Sequence, residues 1–158
     1  MKIPQMTICD TIYQFINEIG AYGRLIAFDI GTKRIGVALS DPTRTIASPN
    51  EVYNRINLKK DVNKAISYIK AFEATGIVVG LPLSLSGKDG DMCETVMAFV
   101  RKLAKESSVP IFLQDERFTS KLSQQIMSQY NITKAKKSIV EDKIAASFIL
   151  QSAIELIK

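Results

Sequence analysis

Hydrophobic and polar positions along the 158-residue chain change period several times, and each change marks an element. Near the N-terminus Ile8, Ile12, Phe15, Ile16 and Ile19 recur at three- and four-residue steps, the spacing of an amphipathic helix. Arg24 to Asp29 and Arg34 to Ser40 are apolar runs that read as strands. The Ile30-Gly31-Thr32-Lys33 stretch between them is short enough for a hairpin. Ala47 to Tyr53 reads as a third strand, entered through the turn-forming Asp41-Pro42. Asn57 is placed to cap a helix reaching about Phe72, with Ile66 and Ile69 on its inner side.

The second half alternates. Ile77-Val78-Val79 within Gly76 to Gly80 is a continuous apolar run, typical of a strand buried on both faces. Leu81 to Gly90 carries Pro82, Ser84, Ser86 and Gly87 and reads as a loop. A helix is expected from about Asp91 to Ser107, a strand at Pro110 to Gln114 and a helix at Lys121 to Tyr130. A basic loop with Lys134, Lys136 and Lys137 follows. Ser138 and Glu141, three apart, form a capping box for the last helix. That start puts Asp142 in the first turn, on one face with Ala146 and Ile149.

Three strands in hairpin order, then helix-strand-helix-strand-helix, predict one α/β domain. Its sheet is mixed and five-stranded, three antiparallel strands followed by alternating helix–strand units, with helices on both faces. The length suits one well-buried domain and is short for two. Residues 23–158 are expected to form that domain, and 1–22 a helical extension packed on it. A membrane-surface or partner helix is the other reading of the extension's apolar face.

Charge and composition narrow the function. With 21 basic against 16 acidic residues the net charge is +5, a modest bias toward polyanionic partners. Nothing approaches the ~20 apolar residues of a membrane span, and Asp10, Gln14 and Glu18 interrupt any signal-peptide core. Cys9 and Cys93 are too few and too far apart for a disulfide framework or a zinc site. A cytoplasmic protein with reduced cysteines is expected. The chain has no histidine, which excludes Ser-His-Asp and Cys-His machinery and the His-Glu-x-x-His zinc site. Catalysis is left to carboxylates, lysine, hydroxyls, cysteine or a bound metal. Oxygen-only ligands suit Mg2+ or Mn2+.

The acids concentrate at element ends. Asp29 closes the first strand, and Asp115 and Glu116 follow Ile111-Phe112-Leu113-Gln114. Residues at strand ends of such sheets line ligand crevices. Asp142 lies on a core-facing stripe, where a carboxylate costs several kcal/mol unless paired, hydrogen-bonded or metal-bound. Acids on three elements can converge on one metal site for in-line phosphodiester displacement. The competing reading makes Asp29 and Asp142 helix or turn caps and pairs Glu116 with Arg117. Spacing alone does not choose.

Four motifs carry a resemblance. Phe28-Asp29-Ile30-Gly31-Thr32-Lys33-Arg34-Ile35-Gly36-Val37-Ala38 closely resembles the opening motif of the YqgF family. Ile77-Val78-Val79-Gly80-Leu81-Pro82-Leu83, Asp115-Glu116-Arg117-Phe118-Thr119-Ser120 and Val140-Glu141-Asp142-Lys143-Ile144-Ala145-Ala146 continue it in order, covering Arg24 to about Ser152. The resemblance implies an RNase H-like fold and a metal-dependent nuclease. Bacterial members are linked to maturation of the small-subunit ribosomal RNA precursor, and the family was earlier proposed to resolve Holliday junctions. Transferred motif by motif, it makes Asp29, Glu116 and Asp142 the catalytic, metal-holding acids, with Asp115 a neighbour and Glu141 an acid of ambiguous role. Phe118 and Ser120 stand where leucine and threonine are usual.

Within that frame Lys33, Arg34 and Arg117 are candidates for phosphate contact, against solvated charge or a local salt bridge. Nucleic acid is the expected partner, RNA ahead of branched DNA, with the small ribosomal subunit as its setting and no membrane. The chain is expected as a monomer or homodimer; a junction resolvase would need two-fold symmetry to cut two strands. Two other readings remain. Asp29-Ile30-Gly31-Thr32 also resembles the phosphate hairpin of actin-like ATPases and sugar kinases, but those need two such domains and the chain supplies one. A non-catalytic nucleic-acid-binding or transcription-regulating module would keep the fold without the chemistry.

Overall fold

The computed structural model describes residues 7–82, 90–116 and 134–158, with the backbone alone for 134–139. The expected helix at Lys121 to Tyr130, most of the loop after Leu81, and Arg117 to Ser120 lie outside the described residues.

In chain order the elements are β1 (Ile8–Cys9), α1 (Ile12–Ile19), β2 (Leu25–Ile30), β3 (Arg34–Ser40) and β4 (Ala47–Asn54). They continue with α2 (Leu58–Ala71), β5 (Gly76–Leu81), α3 (Gly90–Glu106), β6 (Ile111–Asp115) and α4 (Lys134–Ile157). The sheet runs β1-β6-β5-β2-β3-β4. β2, β3 and β4 form the antiparallel meander, and β5 and β6 add to it in parallel. The mixed order read from the pattern therefore holds.

The sheet has six strands rather than five. Ile8, read from its spacing as part of the first helix, instead pairs in parallel with Ile111 at the sheet edge. The helix starts later because Thr11 caps it: Gln14 N donates to Thr11 Oγ1 at 3.1 Å. Phe15 and Ile19 are buried, and a Cβ on Gly76 would come within 2.7–2.9 Å of Ile19, Leu25 and Phe15. The buried part of the apolar face of α1 is thus used inside the domain.

Strand alternation divides the core in two. Ile26, Phe28, Ile35, Val37, Ile77, Val79 and Ile111 pack on one face against Val62, Ala65 and Ile69 of α2 and Phe99, Val100 and Leu103 of α3. Leu25, Ala27, Ala38 and Val78 pack on the other against α1 and against Ala146, Ile149, Leu150 and Ala153 of α4. Helices therefore cover both faces. β4 is an edge strand, exposed from Ser48 to Glu51. It tolerates Pro49 there, and its register slips between Val37 and Ala38, a bulge that leaves Asn50 unpaired.

Two helix starts bear on the site. Asn57 caps α2 as expected, accepting from Lys60 N at 2.9 Å. Ser138 does not start the last helix as expected, because α4 begins at Lys134. Asp142 therefore lies more than two turns inside the helix at 3.6 residues per turn, not in its first turn.

Candidate active site

The carboxylates assemble around the end of β2. Asp29 pairs with Gly36 across the hairpin, and the turn is closed by Gly31 N donating to Arg34 O at 2.8 Å. With Phe28 and Ile30 in the α2–α3 core, alternation turns Asp29 toward the α4 face. On that face α4 crosses β3 closely: a Cβ on Gly36 would collide with the Asp142 carbonyl oxygen. Only glycine admits the helix, and the contact fixes Asp142 beside Asp29.

Glu116 enters from the neighbouring strands. Leu81 O accepts from Glu116 N at 3.3 Å, carrying the chain across the end of β5. A Cβ on Gly80 would lie 2.5 Å from Glu116 Oε2 and 2.5 Å from Ile149 Cδ1. Gly80 thus leaves the space through which the carboxylate reaches Asp29, with which it shares a hydrogen bond. Asp115 is the last residue of β6 and has the parity of Ile111 and Leu113, which pack on the other face.

Crowding shows in the electrostatics. Burial first and the Asp142 charge second raise the Asp29 carboxyl from 3.8 to about 6, against the opposing Glu116 hydrogen bond. Asp142 is paired with Arg34, Nε to Oδ2 at 2.6 Å. Beside this pair opens a concavity of about 400 Å³ lined by Gly31, Thr32, Lys33, Arg34 and Asp142. Its walls bring a lysine, an arginine and backbone of the turn to the edge of the carboxylates.

The fold brings together the three acids singled out by sequence, Asp29, Glu116 and Asp142. Neither Asp29 nor Asp142 is a cap: one is inside a strand and the other inside a helix. Among the described residues no three or more Cys, Asp or Glu stand in the geometry of a finished metal-binding set. Asp142 is drawn to Arg34 in this arrangement. Lys33 and Arg34 flank the concavity, while Arg117 lies outside the described residues, as do the side chains of Lys134, Lys136 and Lys137. Sequence reasoning missed Gly36 and Gly80 as spacers, although a glycine inside a strand signals close approach. It also missed Arg55, whose Nη1 donates to Gly31 O at 3.0 Å and holds the turn.

A family model described as RuvX, Holliday junction resolvase, matches residues 23–156. The chain is 39% identical over 151 residues to a protein of Anaplasma marginale (strain St. Maries) named "Putative pre-16S rRNA nuclease", covering 96% of each. A protein of the same name from Rickettsia peacockii (strain Rustic) is 35% identical, covering 96% of this chain and 98% of its own length. Among solved structures, Thermus thermophilus RuvC in complex with a Holliday junction superposes with a TM-score of 0.58 at 12% identity, covering 85% of this chain and 94% of that one. That likeness shows the fold, an RNase H-like one. The kinase reading of the hairpin falls away, and the enzyme class is that of nucleases, hydrolases of phosphodiester bonds. The chain belongs to the RuvX family, the YqgF family of the sequence motifs.

Proposed function

We propose that this chain hydrolyses phosphodiester bonds in the small-subunit (16S) ribosomal RNA precursor, in the cytoplasm and in the context of the small ribosomal subunit. In this reading residues 23–158 are the nuclease domain and 1–22 an extension that packs on it and adds the edge strand β1 to its sheet. Asp29, Glu116 and Asp142 hold divalent cations, Mg2+ or Mn2+. The carrying observation is the meeting of three carboxylates from three places in the fold: Asp29 on β2, Glu116 just beyond β6 and Asp142 on α4.

The residues fit a hard cation. The donors are oxygens alone, their mutual repulsion is relieved by positive charge, and Gly36 and Gly80 leave the room the carboxylates occupy. Divalent cations held there would activate a water and stabilise the leaving oxygen. The chain does the rest. Asp29, on an interior strand of the sheet, would hold a cation at the end of β2. Lys33 and Arg34, with Arg117, take phosphate oxygens and fix the strand's register. Arg34 also holds Asp142 in place through its Nε.

The names of these relatives support the RNA substrate. The family description supports a second reading, cleavage of branched DNA. Competition decides between them: labelled 16S precursor and a four-way DNA junction are offered together, with magnesium, manganese or chelator. Preferential, metal-dependent cleavage of the precursor supports the proposal; paired cuts in the junction favour the resolvase. Binding of both without cleavage under any metal favours a non-catalytic module.

A further inference from the structure

We propose that the corner between β4 and α2, formed by Ile56, Leu58, Lys59 and Lys60, is a docking surface for a single nucleic-acid strand leaving the Asp29 site. The inference rests on the nuclease reading and adds a surface to it.

The corner adjoins the site's hairpin. Arg34 faces Asn54 across β3 and β4, and Arg55 N donates to Lys33 O at 2.8 Å. A strand crossing the Gly31–Lys33 turn therefore meets residues 56–60 next.

The corner is held rigidly from beneath. Asp61 is 2% exposed, and its Oδ2 pairs with Arg55 Nε at 3.3 Å. Its Oδ1 accepts from Ile56 N at 2.9 Å, and its backbone carbonyl from the Tyr53 hydroxyl at 3.0 Å. Arg55 also donates to Gly31 O at 3.0 Å, so one buried ion pair fixes both the turn and the corner. The one acid of this segment is thereby neutralised internally.

The outer surface has a different character. Ile56 is 70% exposed and Leu58 37%, two large apolar side chains within three residues. Lys33, Lys59 and Lys60 are exposed and make no ion pair among the described residues. Apolar tips amid unneutralised cations, on a pre-ordered backbone, match a strand whose phosphates meet lysines and whose splayed bases meet apolar surface. Ordering the surface before binding lowers the entropy cost of docking.

The test is fluorescence anisotropy with a labelled 20-nucleotide single-stranded RNA, in chelator, over a range of KCl. On a single strand, removing one phosphate-binding cation lowers the slope of log K against log salt by about 0.7. The K59A/K60A double variant is expected to reduce that slope by about 1.4 and to bind about tenfold more weakly at moderate salt. I56A is expected to bind several-fold more weakly with the wild-type slope, since an apolar contact releases no counterions. Both variants should melt with the wild type, because the altered side chains are exposed. Wild-type binding with an unchanged slope and affinity in K59A/K60A overturns the corner and leaves the nuclease reading standing. Loss of self-association in K59A/K60A with intact RNA binding reassigns the corner to protein contact and also overturns it. A wild type that binds no RNA at any salt contradicts both.

Discussion

Gly36 and Asp142 are in backbone contact across 106 residues of sequence: a Cβ at position 36 would collide with the Asp142 carbonyl oxygen and stand 3.4 Å from Ala146 Cβ. The helix that carries an acid to the site is seated on the one position of β3 without a side chain in the way. Gly36→Ala should push α4 outward and draw Asp142 away from Asp29. Overpacking of this kind costs about 1–3 kcal/mol, and a displacement near 1 Å can cost about a hundredfold in rate. Thermal unfolding and cleavage rates check both. Activity at the wild-type level with an unchanged melting temperature would show that α4 is not seated this way.

Asp29 gives a pH signature. Its carboxyl is raised from 3.8 to about 6, so the folded protein holds that proton more tightly than the unfolded chain. The stabilisation is complete below pH 3.8 and is lost as pH rises through about 6. That interval corresponds to about 3 kcal/mol, an upper bound because three acids share the charge. In chelator at pH 7.5, Asp29→Asn should therefore be more stable than wild type, and its stability should fall less between pH 4 and 7. Mg2+ or Mn2+ should raise the melting temperature of the wild type and not of the variant. Chemical denaturation at several pH values measures the first effect and calorimetry the second.

Asp61 is the buried partner of Arg55. Asp61→Ala leaves a guanidinium at the turn without its counter-charge and strips Ile56 N of its acceptor. Breaking such a pair costs about 3 kcal/mol. Denaturant titration should show that loss. Cleavage at a temperature where the variant remains folded should also fall, because the Gly31 carbonyl loses its anchor.

Arg44 supplies the contrasting case, at the opposite end of the sheet. Its guanidinium donates to Gly20 O at 2.6 Å, Gly23 O at 2.7 Å, Ile19 O at 2.8 Å and Thr75 Oγ1 at 3.1 Å. Arg44→Met should cost about 2 kcal/mol or more, since buried carbonyls lose their donors. Turnover per folded molecule should not change. A specific loss of rate would connect this end of the domain to the chemistry.

The meander, the alternating half and the two-faced burial were legible because period-2 and period-3.6 patterns there agree with the tertiary environment. β1 was not, because Ile8 fits the helical spacing of Ile12 and Ile19 equally well and two residues carry no period. Thr11, a good capping residue, was the available signal. The start of α4 was misjudged for a related reason: a serine three residues before a glutamate also occurs inside helices, and only backbone geometry separates the two. Asp29, Glu116 and Asp142 were legible as a set through the family motifs. Their convergence needed Gly36 and Gly80, whose role depends on what crosses above them. Arg55 was missed because its partners, Gly31 and Asp61, meet only in the folded chain.

Three carboxylates from three parts of the fold are proposed to make one metal-dependent cleavage site. The most direct measurement is single-turnover cleavage of end-labelled 16S precursor by wild type, Asp29→Asn, Glu116→Gln and Asp142→Asn, with magnesium or chelator, each variant first shown folded by circular dichroism. The wild type should cleave only with metal, and every variant should lose at least about a hundredfold in rate. Cleavage that persists in chelator, or a folded variant that cuts at the wild-type rate, would contradict it.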